Sequence, residues 1–155
     1  MRINTYRKIF GVGPTGAILS LTLFFIAWWG DRIVGHPVIT IRSGEMRVIG
    51  VLFVVAGSIL HLWTFVTLKR WWSGNQLCTA GPFQWFRHPM YAAWVTFISL
   101  GVSLLLNSWV FLGWYIVLHP IWHRLVLKEE KMMADSFGDA YQFYKARTGR
   151  FIPKI

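Results

Sequence analysis

The sequence predicts an all-α fold: a polytopic membrane bundle of about four spanning helices, followed by an amphipathic C-terminal helix on the cytoplasmic side. Three observations predict it. Of the 155 residues, 55% are hydrophobic and only 14% are charged, with a mean hydropathy of +0.45; a soluble domain carries about a quarter charged residues. The apolar residues gather into four runs, each close to the roughly 20 residues that cross a bilayer. Ten Trp and five Tyr fit a chain with two membrane–water interfaces, where amphipathic aromatics are favoured. The length suits one domain, 1–155. The net charge of +10 does not point to nucleic acid, because the bases flank the apolar runs, as they do when they set orientation or meet anionic headgroups. Cys78 stands alone, so no internal disulfide is expected.

The first ten residues carry Arg2, Arg7 and Lys8. Gly11-Val12-Gly13-Pro14-Thr15-Gly16 matches G-x-G-x-x-G, but a dinucleotide fingerprint needs a preceding strand and a βαβ unit. A basic tail before it and an apolar run behind it make it a flexible lead-in turn. Span one covers about 17–34. No clear small-residue cleavage site follows it, so it reads as a retained span rather than a signal peptide. Asp31 and Arg32 near its end are placed to reach water or each other. His36-Pro37 breaks the chain, and Val38-Ile39-Thr40-Ile41, β-like but isolated, reads as an interfacial loop. Span two covers about 46–68. Its His61 is expected to hydrogen-bond a neighbouring helix, ahead of a pocket role. Lys69-Arg70-Trp71-Trp72 is a basic and aromatic interface anchor.

Span three covers about 90–106. Asn107-Ser108 turns the chain into span four, about 109–127, giving an antiparallel helical hairpin. His119-Pro120 is expected to kink span four, since proline removes a backbone donor; the freed carbonyl then wants a protein-facing or wet surface. His119 and His123 share a helix face. Without H-E-x-x-H or a Cys pair they suit packing or pocket lining better than a metal. From 128 the tail is polar. Met133, Phe137, Tyr141 and Tyr144 fall on one helical face, Gly138 breaks or bends it, and the helix either lies on headgroups or covers a site.

Four spans put both termini and the 68–90 loop on one side. That side holds thirteen Lys and Arg, three in the N-terminal tail, three in the loop (Lys69, Arg70, Arg87) and seven from Arg124 onward, against Arg32, Arg42 and Arg47 on the other. The richer side is cytoplasmic by the positive-inside rule. Two polar clusters therefore share a compartment: Gly81-Pro82-Phe83-Gln84-Trp85-Phe86-Arg87-His88-Pro89-Met90-Tyr91 and Lys128-Glu129-Glu130-Lys131. Gly81-Pro82 can turn the backbone close to a ligand. Arg87 offers a fork for a carboxylate or phosphate, and His88 and Tyr91, three apart at a helix start, can face one side. Exposed amides there favour an anion. Glu129 and Glu130 can accept from hydroxyls and amines or stabilise a cation, and Trp85, Phe86 and Tyr144 offer aromatic faces. Together these suit a ligand with a carboxylate, an ammonium, a ribose and a positive centre.

Gly81-Pro82-Phe83, Arg87-His88-Pro89-Met90-Tyr91, the apolar hairpin and Glu129-Glu130 resemble the R-H-P-x-Y…E-E signature of the isoprenylcysteine carboxyl methyltransferase and phospholipid methyltransferase group. Phe137-Gly138-Asp139-Ala140-Tyr141-Gln142-Phe143-Tyr144-Lys145-Ala146-Arg147 is similar to that group's F-G-x-x-Y-x-x-Y-x-x-R tail. The resemblance covers about 79–153. It implies a membrane methyltransferase using S-adenosylmethionine, with the tail helix capping the cofactor pocket. It implies cofactor binding by Gly81, Pro82, Arg87, His88, Pro89, Tyr91, Glu129, Glu130 and Tyr144, and catalytic roles for Arg147, near the acceptor, and Glu130. No metal is implied. The acceptor would be lipophilic, an isoprenylcysteine-like carboxylate or a lipid head group, entering from the bilayer. A carboxylate needs only desolvation and orientation; an amine must be neutral, so Glu130 or a histidine would matter as base. The rival readings are an NADPH-dependent membrane reductase of the steroid-reductase type, with Arg87, Arg147 and Arg150 serving phosphates, and a non-enzymatic membrane scaffold.

Overall fold

A computed structural model describes residues 11–40, 42–71 and 76–154. Arg2, Arg7, Lys8, Ile41 and Trp72 lie outside the described residues. Four helices among those described are long and apolar enough to span a membrane. They are α1 (Gly13–Ile33), α2 (Ser43–Trp71), α3 (Pro89–Leu106) and the apolar α4 (Trp109–Leu125). The polar α5 (Leu127–Arg147) follows α4 directly. The chain is a polytopic helical membrane protein. Large side chains such as Leu21, Ile26, Trp29, Leu52 and Leu62 stand outward on α1 and α2, where a bilayer would cover them.

Helix boundaries follow local chemistry. Pro14 sits in the first turn of α1, where its missing N–H has no helical partner to lose. Gly13 to Gly16 are thus helical, and the lead-in turn shrinks to Gly11 and Val12. Asn107, at φ 48°, ends α3 in the left-handed conformation, and Ser108 caps α4 by accepting from Val110 N at 3.2 Å. α4 continues through Pro120. A six-residue π-helical turn, Ala93–Ile98, interrupts α3; no sequence cue announces it. Gly138 has non-helical dihedrals and divides α5.

Helix contacts rest on small residues, as expected where lipid offers no hydrophobic drive. A Cβ on Gly101 would lie 2.7 Å from the Gly50 carbonyl, and one on Gly57 would lie 2.9 Å from the Ala93 carbonyl, so α2 and α3 touch through their backbones. Against α1, the Trp122 indole covers Gly16 and donates to Ser20 Oγ at 2.9 Å; Trp114 Nε1 donates to the Ser20 carbonyl at 3.2 Å.

At the far end of the bundle, Asp31 is buried and bridges Ser108 Oγ (2.5 Å) and His36 Nδ1 (2.8 Å). It does not pair with Arg32, whose guanidinium stacks on Trp28. The Val38–Thr40 run remains a loop, held to the α3–α4 turn by Asn107 Nδ2 donating to the Thr40 carbonyl at 2.9 Å. The buried core lies at the opposite end. Phe86, Ala92, Val95, Leu118, Trp122, Val126 and Phe151 form one cluster there. It supports the polar groups beside it.

Candidate active site

The site begins with a short 3₁₀ turn, Gly81–Gln84. Gly81 has φ +56°, and a Cβ there would meet Thr67 Oγ1 on α2 at 3.0 Å. Pro82 is buried. Tyr144 on α5 fixes the turn by donating its hydroxyl to the Phe83 carbonyl at 2.7 Å. Beyond α5, the chain straightens at Thr148 and runs beside 86–88. Arg87 N donates to the Gly149 carbonyl at 2.7 Å, and His88 N to the Arg150 carbonyl at 3.3 Å. This short parallel pairing brings the start of α3 against the tail. Pro89 then opens α3, its fixed φ suiting the first turn.

Six ionisable side chains converge here: Arg87, His88, Tyr91, Glu129, Glu130 and Arg150. Glu130 is 3% exposed and receives Arg87 Nε at 3.1 Å, Arg150 Nε at 2.8 Å and Arg150 Nη2 at 2.8 Å. Arg87 also donates Nη1 to the carbonyls of Thr148 and Lys145. His88 lies between the glutamates, with Nδ1 3.4 Å from Glu129 and Nε2 3.6 Å from Glu130. It stacks on Tyr91, whose hydroxyl donates to Glu129 Oε1 at 2.9 Å. The same oxygen takes the Val12 backbone N–H at 2.5 Å. The lead-in turn therefore belongs to the site. A Cβ on Gly11 would collide with the Glu129 carboxylate.

Electrostatics follow from the packing. Burial alone pushes the Glu130 carboxyl up, but the nearby His88 ring, the hydrogen bonds from Arg150 and the two guanidinium charges outweigh it and hold it well below the usual carboxylate range. Burial pushes His88 down, and the two glutamates more than reverse this, leaving it raised. Arg150 is raised by its bonds to Glu130. The cluster is a network of opposite charges around a buried carboxylate.

The expected residues divide. Arg87, His88, Pro89, Tyr91, Glu129 and Glu130 come together, while Gly81, Pro82 and Tyr144 form the brace beside them. Arg147 lies apart, exposed, with its guanidinium 3.8 Å over the Phe143 ring. Arg150, expected only as a phosphate ligand under the reductase alternative, joins the cluster through Glu130. It sits past the end of α5 on the extended segment, where helical spacing gives no information. Gly149, with no room for a Cβ, is the one local sign of a tight turn. Among the described residues His61 Nδ1 is buried without the expected partner, and its ring meets Trp94 edge-on. Among the described residues no group of three His, Cys, Asp or Glu is arranged to hold a metal.

Two features fit a ligand with ribose hydroxyls and an ammonium. Among the described residues Glu129 Oε2 has no closer donor than His88 Nδ1, and His88 Nε2 is buried with no hydrogen-bond partner. These are the atoms in the cluster with capacity left.

Known proteins resemble this chain in sequence and in fold. The Xenopus laevis protein-S-isoprenylcysteine O-methyltransferase is 27% identical over 71% of this chain and 41% of its own length. The Tribolium castaneum protein of the same name is 31% identical over 54% of this chain and 30% of its own. The chain thus spans less than half the length of these curated relatives. The solved structure of a eukaryotic intramembrane Ras methyltransferase, an isoprenylcysteine carboxyl methyltransferase, has the same fold, with a TM-score of 0.64 at 24% identity. The match covers 95% of this chain and 55% of that one. The profile of the phospholipid methyltransferase family matches residues 46–140, more than half of the sequence, and the chain belongs to that family.

Proposed function

We propose that this chain is an S-adenosylmethionine-dependent methyltransferase acting on a lipophilic acceptor at the cytoplasmic membrane face. The observation that carries the reading is the convergence of Arg87, His88, Tyr91, Glu129 and Glu130 at the basic end of a membrane bundle. When bound, the cofactor supplies an electrophilic methyl on a sulfonium. Glu129 Oε2 would accept from ribose hydroxyls or the ammonium, and His88 Nε2 would fill its open valence on the same ligand. Glu130, held ionised, fixes Arg87 and Arg150 and sets a negative field that suits a cationic centre. Tyr91 and the Val12 amide keep Glu129 from turning away. Such preorganisation holds reactants in line, a source of effective molarities of about 10⁵ M or more. The relatives' names support a prenyl-type acceptor, reached from the bilayer. Arg147, exposed at the end of α5, would orient the acceptor, and Arg150, joined to the cluster through Glu130, would share that role.

The reductase reading has less support, because Arg87 and Arg150 already engage Glu130 and backbone carbonyls instead of standing free for phosphates. The test is methyl transfer. Membranes containing the protein, given S-adenosylmethionine labelled at the methyl group, should incorporate label into an organic-extractable species. Membranes with His88→Ala should not. Equal incorporation by both, or none by either, rejects the reading.

A further inference from the structure

The methyltransferase reading assigns no role to Trp122, an indole 4% exposed on α4. Packing alone would be met by any large apolar ring, and three contacts of this indole go further. It lies against the first turns of α1, where a Cβ on Gly16 would collide with it. Its Nε1 donates to Ser20 Oγ at 2.9 Å, and Ser20 Oγ donates in turn to the Gly16 carbonyl at 2.7 Å. Its ring centroid is 4.9 Å from that of Tyr91, at an interplanar angle of 46°. One side chain thus joins a spanning helix to the start of α3.

Beyond Tyr91 lies the site. The Tyr91 ring stacks on His88 at 5.7 Å with 13° between the planes, and its hydroxyl donates to Glu129 Oε1 at 2.9 Å. A phenol oxygen lies on the axis about which the ring turns, and that torsion is intrinsically broad. The hydrogen bond to Glu129 therefore leaves the plane of Tyr91 free, and the rings packed against it fix that plane. A buried indole N–H needs a partner, so Ser20 sets the rotation of Trp122, and Gly16 lets the ring approach. α1 reaches Glu129 by a second path, since the Val12 amide donates to the same oxygen as Tyr91. Val12 precedes Ser20 by eight residues, about 12 Å of helix, and packs against the buried cluster that contains Trp122.

Trp114 supplies a contrast. It makes a similar bond to α1, Nε1 to the Ser20 carbonyl at 3.2 Å, but its ring packs on Phe24, 5.3 Å away. It grips the same helix on the side away from Tyr91.

We propose that Trp122 is a positioning residue of the methyl-donor site: seated on Gly16 and Ser20 of α1, its indole sets the plane of Tyr91 and, through it, the aim of His88 and Glu129. This rests on the methyltransferase reading. Trp122, Ser20 and Gly16 act through Tyr91 and not on the ligand. When the indole shifts, Tyr91 turns, and His88 Nε2 and Glu129 Oε2 no longer converge on one ligand.

Four variants separate this role from packing. Ser20→Ala removes the oxygen that holds the indole N–H, and Gly16→Ala drives the indole off α1. Trp114→Phe removes the other indole bond to α1. Gly30→Ala adds a methyl to the same helix where nothing lies within 4 Å. Each purified protein in detergent is titrated with S-adenosylhomocysteine by calorimetry, and its melting temperature shows that it is folded. Kd should rise about tenfold in Ser20→Ala and Gly16→Ala, the size of one misaligned hydrogen bond to a charged group. It should stay within about twofold in Trp114→Phe and Gly30→Ala. In protein without ligand, the ring ¹⁵N signals of His88 should move in the first pair and stay still in the second.

A wild-type Kd in Ser20→Ala, an equal weakening by Trp114→Phe, or unmoved His88 signals in Ser20→Ala would overturn the proposal. If Gly16→Ala fails to fold, Ser20→Ala decides, because it removes one oxygen and adds no bulk. A wild type that binds no S-adenosylhomocysteine would end the methyltransferase reading, while the His88 signals would still show whether the indole positions that ring.

Discussion

Replacing Glu130 by Gln tests the network on which the site depends. The side chain keeps its shape and loses its charge. Glu130 is 3% exposed and accepts three guanidinium hydrogen bonds, two at 2.8 Å and one at 3.1 Å. Removing one partner of a buried ion pair leaves the other uncompensated and costs about 3–5 kcal/mol. For a chain of this size each kcal/mol shifts Tm by about 2–4 °C, so Glu130→Gln should melt about 6–20 °C lower in detergent. Arg150→Met should lose a similar amount. The double variant should fall short of the sum by more than about 1 kcal/mol, because the groups share one network. A thermal melt followed by tryptophan fluorescence measures all four proteins. A shift under about 2 °C for Glu130→Gln, or strict additivity, would show that the carboxylate is not the centre of the cluster.

Other consequences are open to direct measurement. His88 is raised above its ordinary 6.5, so its charge stabilises the fold fully below that value and the stabilisation is lost as pH rises through the folded value. Glu130 is lowered from 4.5, so its contribution is present above that value and lost as pH falls. Tm should therefore decline on the alkaline side of 6.5 in wild type, and His88→Gln should remove that slope. Arg147→Ala should change Tm by no more than about 2–4 °C, since it loses one exposed cation–π contact of about 0.5–1 kcal/mol, whereas Arg150→Ala should cost several times more. Gly101→Ala forces a Cβ to 2.7 Å from the Gly50 carbonyl and should cost about 1–3 kcal/mol. Gly113→Ala, with nothing within 4 Å, should be neutral or stabilising in the same melt.

The parts legible in the sequence are those written in residue type. Hydropathy found four spans because a bilayer demands long apolar runs, and the structure moves their ends by only a few residues. The hairpin at Asn107-Ser108 and the bend at Gly138 follow from local backbone chemistry. The signature residues Arg87, His88, Tyr91, Glu129 and Glu130 are drawn together by the hairpin that separates them. Other features depend on contacts that carry no such mark. The Val12 amide on Glu129 is a backbone donor, which any residue but proline supplies. Arg150 reaches Glu130 because the chain straightens at Thr148 and pairs with 86–88. The resemblance of the tail to the family motif names Arg147, the last residue of α5, and gives no weight to Arg150. Asp31 appeared placed for water or Arg32, and only the meeting of distant turns puts Ser108 and His36 beside it. The π-turn in α3 is set by helix packing and has no composition of its own.

The measurement that bears most directly on the central reading is ligand stabilisation of the purified protein in detergent. S-adenosylhomocysteine at 100 times its Kd should add about 2.7 kcal/mol, a rise in Tm of about 5–11 °C. NADPH should add nothing, and His88→Ala should abolish the rise. A Tm unmoved by S-adenosylhomocysteine, or raised by NADPH, would contradict the assignment of the Arg87–His88–Glu129–Glu130 cluster as a methyl-donor site.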